Sequence, residues 1–300
     1  MRYDLGSVGR KSLGMWAAVP VFFVLVSIYH LPIITRRALV LDYRQPTLLT
    51  AYASHFVHLT WAHLVGNLVV FGLLFALGYW LAGVGRRRGL FYAATATYLV
   101  AFPLALSALN LALPRPRVGF GFSGIAMAFL GLLPLVLSAA VEERFPRTAA
   151  TRRAPGLFLL GLAVVSWFAL PPSGVRPLAV VAIAVAAAVH LQRVPTADDL
   201  RDGVRWLTAT ADGGLVLAGL VALLLIPYAA FPADPTGDGT VLNIYSHFLG
   251  YCLGFIVPYA ADQAGERLEA LGRTDLPVGR PAEGRGPGSR LPRERRVDGD

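Results

Sequence analysis

A chain of 300 residues that is 55% hydrophobic and 15% charged, with a mean hydropathy of +0.57, is too apolar for an ordinary soluble domain. Its net charge of +9 lacks the basic stripe interleaved with aromatics that marks nucleic-acid binding; Lys and Arg cluster between apolar runs, as topology signals do. The lone Cys252 excludes an intrachain disulfide and a cysteine-based metal cluster.

Runs long enough to cross a bilayer recur along the chain. Eight apolar segments are expected, at about 14–34, 58–83, 89–113, 118–141, 155–170, 175–191, 214–231 and 240–261. The fold class is therefore all-α, a polytopic bundle of membrane helices. The first segment follows MRYDLGSVGRKS, with no A-x-A-like cleavage site after it, so no cleavable signal is expected. The fifth and sixth segments are short: about 16 residues at ~1.5 Å each reach ~24 Å, less than a ~30 Å hydrocarbon core. They either cross a thinned region or form a hairpin around PPSG (171–174), and both options preserve the direction of the later segments. TADDLRDGVRWLTATA (196–211) places Leu200, Val204 and Leu207 at helical spacing behind early acidic residues, the pattern of a short amphipathic helix on the cytoplasmic face. From about 262 the chain turns rich in Gly, Pro and Arg. The expected organisation is a transmembrane domain over 1–261 and a disordered cytoplasmic tail over 262–300.

Basic residues set the orientation. With the N-terminus inside, the inside stretches hold 21 of the 27 Lys and Arg and the outside stretches 6; without the tail the balance is still 13 to 6. The positive-inside rule places both termini in the cytoplasm of a multi-pass cell-membrane protein.

Polar side chains at membrane depth are expensive and usually functional, and three places carry them. HFVHLTWAHLVGN (55–67) supplies His55, His58, His63 and Asn67 at the start of segment two. Asn67 follows His63 by four, so the two share a helix face. VGFGFSGIAMAF (118–129) opens segment four with Gly121, Ser123 and Gly124, whose glycines uncover the backbone around the hydroxyl. NIYSHFLGYCLGF (243–255) opens segment eight with His247, followed by Gly250 and Gly254 at the small-xxx-small spacing that lets helices approach closely. In the inferred orientation, segments two, four and eight all run from outside to inside, so the three clusters share one depth near the outer face. Each item alone has a plainer explanation. A membrane serine bonds back to its own turn, His30, His55 and His190 suit an interface, Cys252 packs, and Asn67 bonds to a neighbouring helix.

The combination His58-x4-His63-x3-Asn67, Gly121-Phe122-Ser123-Gly124 and His247-x2-Gly250-x3-Gly254 resembles the rhomboid family of intramembrane serine proteases, over roughly 45–130 and 240–258. The resemblance implies a rhomboid-like core with Ser123 as nucleophile and His247 as its general base. It implies Asn67 and His63, with the Ser123 amide, as oxyanion donors, and His58 as an organiser of nearby polar groups or water. Gly250 and Gly254 would bring segment eight against segment four, with Gly121 and Gly124 supporting the serine. Transmembrane proteins would be the substrates, cut near the outer end of a helix. No cofactor or metal is expected.

Three departures from the family pattern stand out. Three segments rather than one separate the serine from the histidine. The loop YRQPTLLTAY (43–52) lacks the family's Trp-Arg pair, and Met127 stands where an aromatic side chain usually stacks on the histidine. Rival classes are a catalytically silent relative that binds membrane clients, a transporter, and a metal site. A transporter would lack the intramembrane Asp, Glu or Arg of a charge-coupled path. A site built from His58, His63 and His247 would lack the carboxylate or thiolate that often completes one.

Overall fold

In hydrocarbon every backbone N–H and C=O must find a partner within the chain, and helices achieve this locally. The computed structural model describes residues 13–113, 118–146, 150–170, 173–191, 197–231, 236–237, 240–241 and 243–274, most of them helical. A 3-10 turn at Leu13–Ala18 leads into α1 (Val19–Tyr29), followed by the short helices α2 (Ile33–Ala38) and α3 (Leu48–Ala53). Then come α4 (Trp61–Val84), α5 (Arg88–Val100), α6 (Phe102–Leu111), α7 (Ser123–Arg144), α8 (Ala154–Ala169), α9 (Val175–His190), α10 (Ala197–Ala209), α11 (Ala211–Ala230) and α12 (Ile244–Thr274). Strands β1 (Leu41–Asp42) and β2 (Val118–Gly119) pair antiparallel, and β3 (Thr236–Gly237) and β4 (Thr240–Val241) form a second small pair.

Among the described residues four helices are long and apolar enough to cross a membrane: α4, α7, α11 and the Ile244–Leu268 part of α12. Counting α5 and α6 as one bent span makes five. The chain is thus an all-α bundle of membrane-type helices, with fewer full-length spans than the eight expected segments. The expected 89–113 segment is broken, its halves meeting at 51°. Pro103, in the first turn of α6, has no N–H and its ring crowds the preceding turn, so the helix restarts there. The first segment stops at Tyr29 for a related reason: Pro32 caps α2 and redirects the chain.

α7 is the centre of the bundle, with 94% of its apolar window buried against 50% for α4, 39% for α12 and 33% for α11. A glycine seam joins α7 to α12. A Cβ at Gly250 would collide with the Gly124 carbonyl oxygen, one at Gly254 with that of Ala128, and one at Gly131 with that of Tyr251. The close approach that small-xxx-small spacing permits is therefore realised at Gly124, Gly250 and Gly254.

The additional helices lie outside this seam. Phe158 of α8 stacks on Tyr251 and Phe255 of α12, with ring centroids 5.1 and 4.3 Å apart, and the Tyr251 hydroxyl donates to the Phe158 carbonyl at 2.8 Å. α9 returns along α8, since Gly156 at the start of α8 faces His190 and Leu191 at the end of α9. The two form an antiparallel hairpin whose outer face exposes Val175, Leu178, Val181, Val185 and Val189. Helix α10 is present as expected but rotated: Trp206 is buried and edge-on to Phe145, and Leu207 packs inward, while Val204 is exposed. The Leu200 side chain lies outside the described residues.

By contacts the chain divides into two units, Met1–Asp262 and Gln263–Asp300. The last helix nevertheless continues to Thr274, past the point where composition placed the start of the tail; residues 275–300 lie outside the described residues.

Pro258 within α12 has no N–H, so the Gly254 carbonyl lacks its partner one turn on. The fully buried Tyr98 of α5 donates its hydroxyl to that carbonyl at 2.5 Å. Tyr98→Phe leaves the carbonyl buried and unpaired and is expected to cost ~1–3 kcal/mol, read as a lower thermal midpoint in detergent. Tyr228→Phe, at a mostly exposed position, should stay within ~0.5 kcal/mol of the parent.

Candidate functional site

Ser123 is the first residue of α7, so its amide belongs to the four N–H groups that a helix start leaves without intrahelical partners. The segment before it is held on several sides. β1 grips β2 with Leu41 opposite Gly119, and the Gly121 amide donates to the Ser54 carbonyl at 2.9 Å. The Phe122 amide donates to His58 Nε2 at 3.4 Å. Gly121 has φ +107°, a conformation that favours glycine, and a Cβ there would stand 2.6 Å from His63 Cε1. The His63 imidazole thus lies directly against the backbone that delivers Ser123.

His58 is fully buried and 4.9 Å from His63, ring centre to ring centre. Because its Nε2 accepts a hydrogen bond, its proton sits on Nδ1. His58 therefore orders the serine loop. Asn67 lies one turn after His63, and its amide donates to the His63 carbonyl at 2.8 Å. The resemblance implied an amide aimed at an oxyanion; in this structure one of its hydrogens bonds to its own helix.

His247 is buried in the first turn of α12. Its Nδ1 lies 2.8 Å from the Ala230 carbonyl at the end of α11, so Nδ1 carries the proton and Nε2 a bare lone pair. Nε2 is buried and has no hydrogen-bond partner among the described residues. Phe231, fully buried, meets the imidazole edge-on at 5.8 Å. Met127 instead packs one turn further along the seam, beside Gly250. An aromatic ring thus reaches the histidine from α11 rather than from α7.

Ser123 and His247 flank a close contact between α7 and α12, where Ser246 Oγ stands 2.7 Å from the position of a Cβ on Gly124. No hydrogen bond joins Ser123 Oγ to His247 Nε2 in this state. A cavity of about 20 Å³ opens beside Ser123, lined also by Ser54, His55, Ser107, Asn110, Asn243 and Ser246. That is room for one water, which needs roughly 10–15 Å³. His55, for which an interfacial place was the plainer alternative, is buried here and lies 3.0 Å from Ser107 Oγ, which donates to the Ala51 carbonyl. Asn110 Oδ1 accepts from Asn243 at 2.9 Å, and the Asn243 side chain caps the Ser246 amide at 3.1 Å.

Arg36 was counted in the sequence only as an outer charge. Its guanidinium donates to the His58 carbonyl at 2.7 Å and the Leu31 carbonyl at 3.2 Å, and it lies 4.5 Å from the Tyr29 ring centre. It ties the end of the first segment to the turn that enters α4, and among the described residues it makes no hydrogen bond to the 43–52 loop that lacks the Trp-Arg pair. Ala230 gave no sequence signal, because the contact is made by its backbone. Asn243, four residues before His247, was readable as a polar group near the site. Among the described residues no three His, Cys, Asp or Glu side chains form a candidate metal-ligand set.

Comparison with protein-family models, with curated proteins and with solved structures finds no match for this chain.

Proposed function

We propose that the chain is an intramembrane serine endopeptidase of the rhomboid type, which cuts transmembrane protein substrates near the outer membrane face with Ser123 and His247. The observation that carries this reading is the state of His247. Its Nδ1–H is engaged by Ala230, its Nε2 is bare and buried, and it stands beside the helix seam at whose end Ser123 begins. A serine hydroxyl is a poor nucleophile until an imidazole takes its proton.

In the proposed reaction Ser123 Oγ attacks the scissile carbonyl as its proton passes to Nε2. The Ser123 amide and the His63 and Asn67 side chains stabilise the oxyanion, Asn67 with the hydrogen not bound to its own helix. His247 then gives the proton to the leaving amine, and a water from the cavity beside Ser123 hydrolyses the acyl-enzyme. Both termini are proposed to be cytoplasmic, from the arginine balance, which places the active site toward the outside.

A second reading is a silent relative that binds membrane clients without cutting them; the unmade bond between Ser123 and His247 favours it. Purified protein in detergent and in bilayers, given a helix-destabilised transmembrane substrate, separates the two. The protease cuts, and Asn67→Ala lowers turnover by about 100-fold while a fluorophosphonate still labels the serine. Association without cleavage in the wild type supports the silent binder instead.

A further inference from the structure

We infer that the carboxyl end of α11 is the third member of the site, with the Ala230 carbonyl taking the role that a carboxylate plays in a Ser-His-Asp triad and Phe231 holding the ring on it. This rests on the protease reading, and it assigns a positioning role to a helix outside the resemblance.

The final carbonyls of a helix have no intrahelical donor. In α11, a helix of 20 residues, the Phe231 amide returns to the Pro227 carbonyl, and the Ala230 carbonyl receives His247 Nδ1–H at 2.8 Å. Aligned peptide dipoles place about half a negative charge at such an end. When Nε2 receives the Ser123 proton, the ring becomes cationic, and its other N–H already points at this partial charge. The Nδ1 proton stays in place throughout, and the proton on Nε2 moves on to the leaving amine. This is the orienting and charge-stabilising duty of the triad aspartate. Phe231 closes one side of the ring edge-on, with an interplanar angle of 85°. The titratable group facing His247 from α4 is His63, which in turn faces His58; among the described residues no carboxylate hydrogen-bonds the ring.

The direct test is ¹⁵N NMR of the full-length protein labelled at histidine nitrogens, with the His247 signals assigned from a His247→Asn difference. The expected resting form is protonated on Nδ1 and bare on Nε2. Replacing the amide between Ala230 and Phe231 by an ester, with phenyllactate at 231, weakens that carbonyl as an acceptor. The ester is expected to mix the tautomers and slow fluorophosphonate labelling by about 10- to 100-fold. It should also move the acid limb of the labelling profile to lower pH, because the imidazolium loses support. The same ester at residue 229 is the control and should do neither. An Nε2-protonated resting form, or a spectrum indifferent to the ester at 231, overturns the inference. Wild-type protein that shows the Nδ1 tautomer but never labels overturns the protease reading alone and leaves the histidine lock standing.

Discussion

Ser123→Ala is expected to abolish cleavage of a transmembrane substrate while the fold survives. In the proposed mechanism the Ser123 oxygen forms the covalent bond, and removing the nucleophile of a serine protease costs about six orders of magnitude in turnover. The structural cost is small. Ser123 is partly exposed at the first position of α7, where its amide rather than its side chain belongs to the helix. One hydroxyl contributes about 1 kcal/mol net, so circular dichroism and the thermal midpoint should be nearly those of wild type. A cleavage assay beside an unfolding curve reads both, and cleavage persisting at wild-type rate would remove Ser123 from the chemistry.

Gly254→Leu and Gly250→Leu are expected to do the reverse, disrupting structure and losing activity as a consequence. The Gly250 position faces the Gly124 carbonyl and lies 3.2 Å from Met127 Cβ, while the Gly254 position faces the Ala128 backbone. Backbone atoms cannot rotate aside, so a leucine must push α12 away from α7. Overpacking of this kind costs ~1–3 kcal/mol and occasionally more, and here it also separates the helices carrying Ser123 and His247. Gly265 lies on the same helix, and a Cβ there would meet nothing within 4 Å. Gly265→Ala should therefore be neutral or stabilise by ~0.5–1 kcal/mol. Equal unfolding midpoints for Gly254→Leu and wild type would mean that the seam is looser than this packing.

What the sequence disclosed was governed by distance along the chain. Long apolar runs produce α4, α7, α11 and α12, and the spacing of Gly250 and Gly254 identifies the face that meets α7. The break at Pro103 rests on a local fact, a missing N–H, but the apolar run over 89–113 hid it, and one unbroken segment was expected there. The extension of α12 was obscured because the averaged composition of 262–300 hid the helix-forming stretch GERLEAL before the Gly- and Pro-rich part. The bond from Asn67 to the His63 carbonyl is the ordinary option of an amide one turn later on a helix, and it was available from spacing alone.

The remaining features depend on where distant segments meet. Arg36 reaches the His58 carbonyl across 22 positions, and Ala230 reaches His247 across 17. Both acceptors are backbone carbonyls, which every residue has and no motif can mark. An interfacial place is the plainer explanation for His55 in the sequence because nothing local indicates that Ser107, 52 positions on, will cover it. The core of the candidate site was thus readable as residue types, while the groups that orient it emerge only from packing.

Whether Ser123 is an activated nucleophile is read most plainly by mass-spectrometric mapping of the fluorophosphonate adduct on the intact protein, in detergent and in bilayers. A single adduct is expected on the peptide containing Ser123, absent in Ser123→Ala and lost in His247→Asn. No adduct in wild type, or an adduct on Ser246, Ser107 or Ser54 of the same cavity, would refute that role for Ser123.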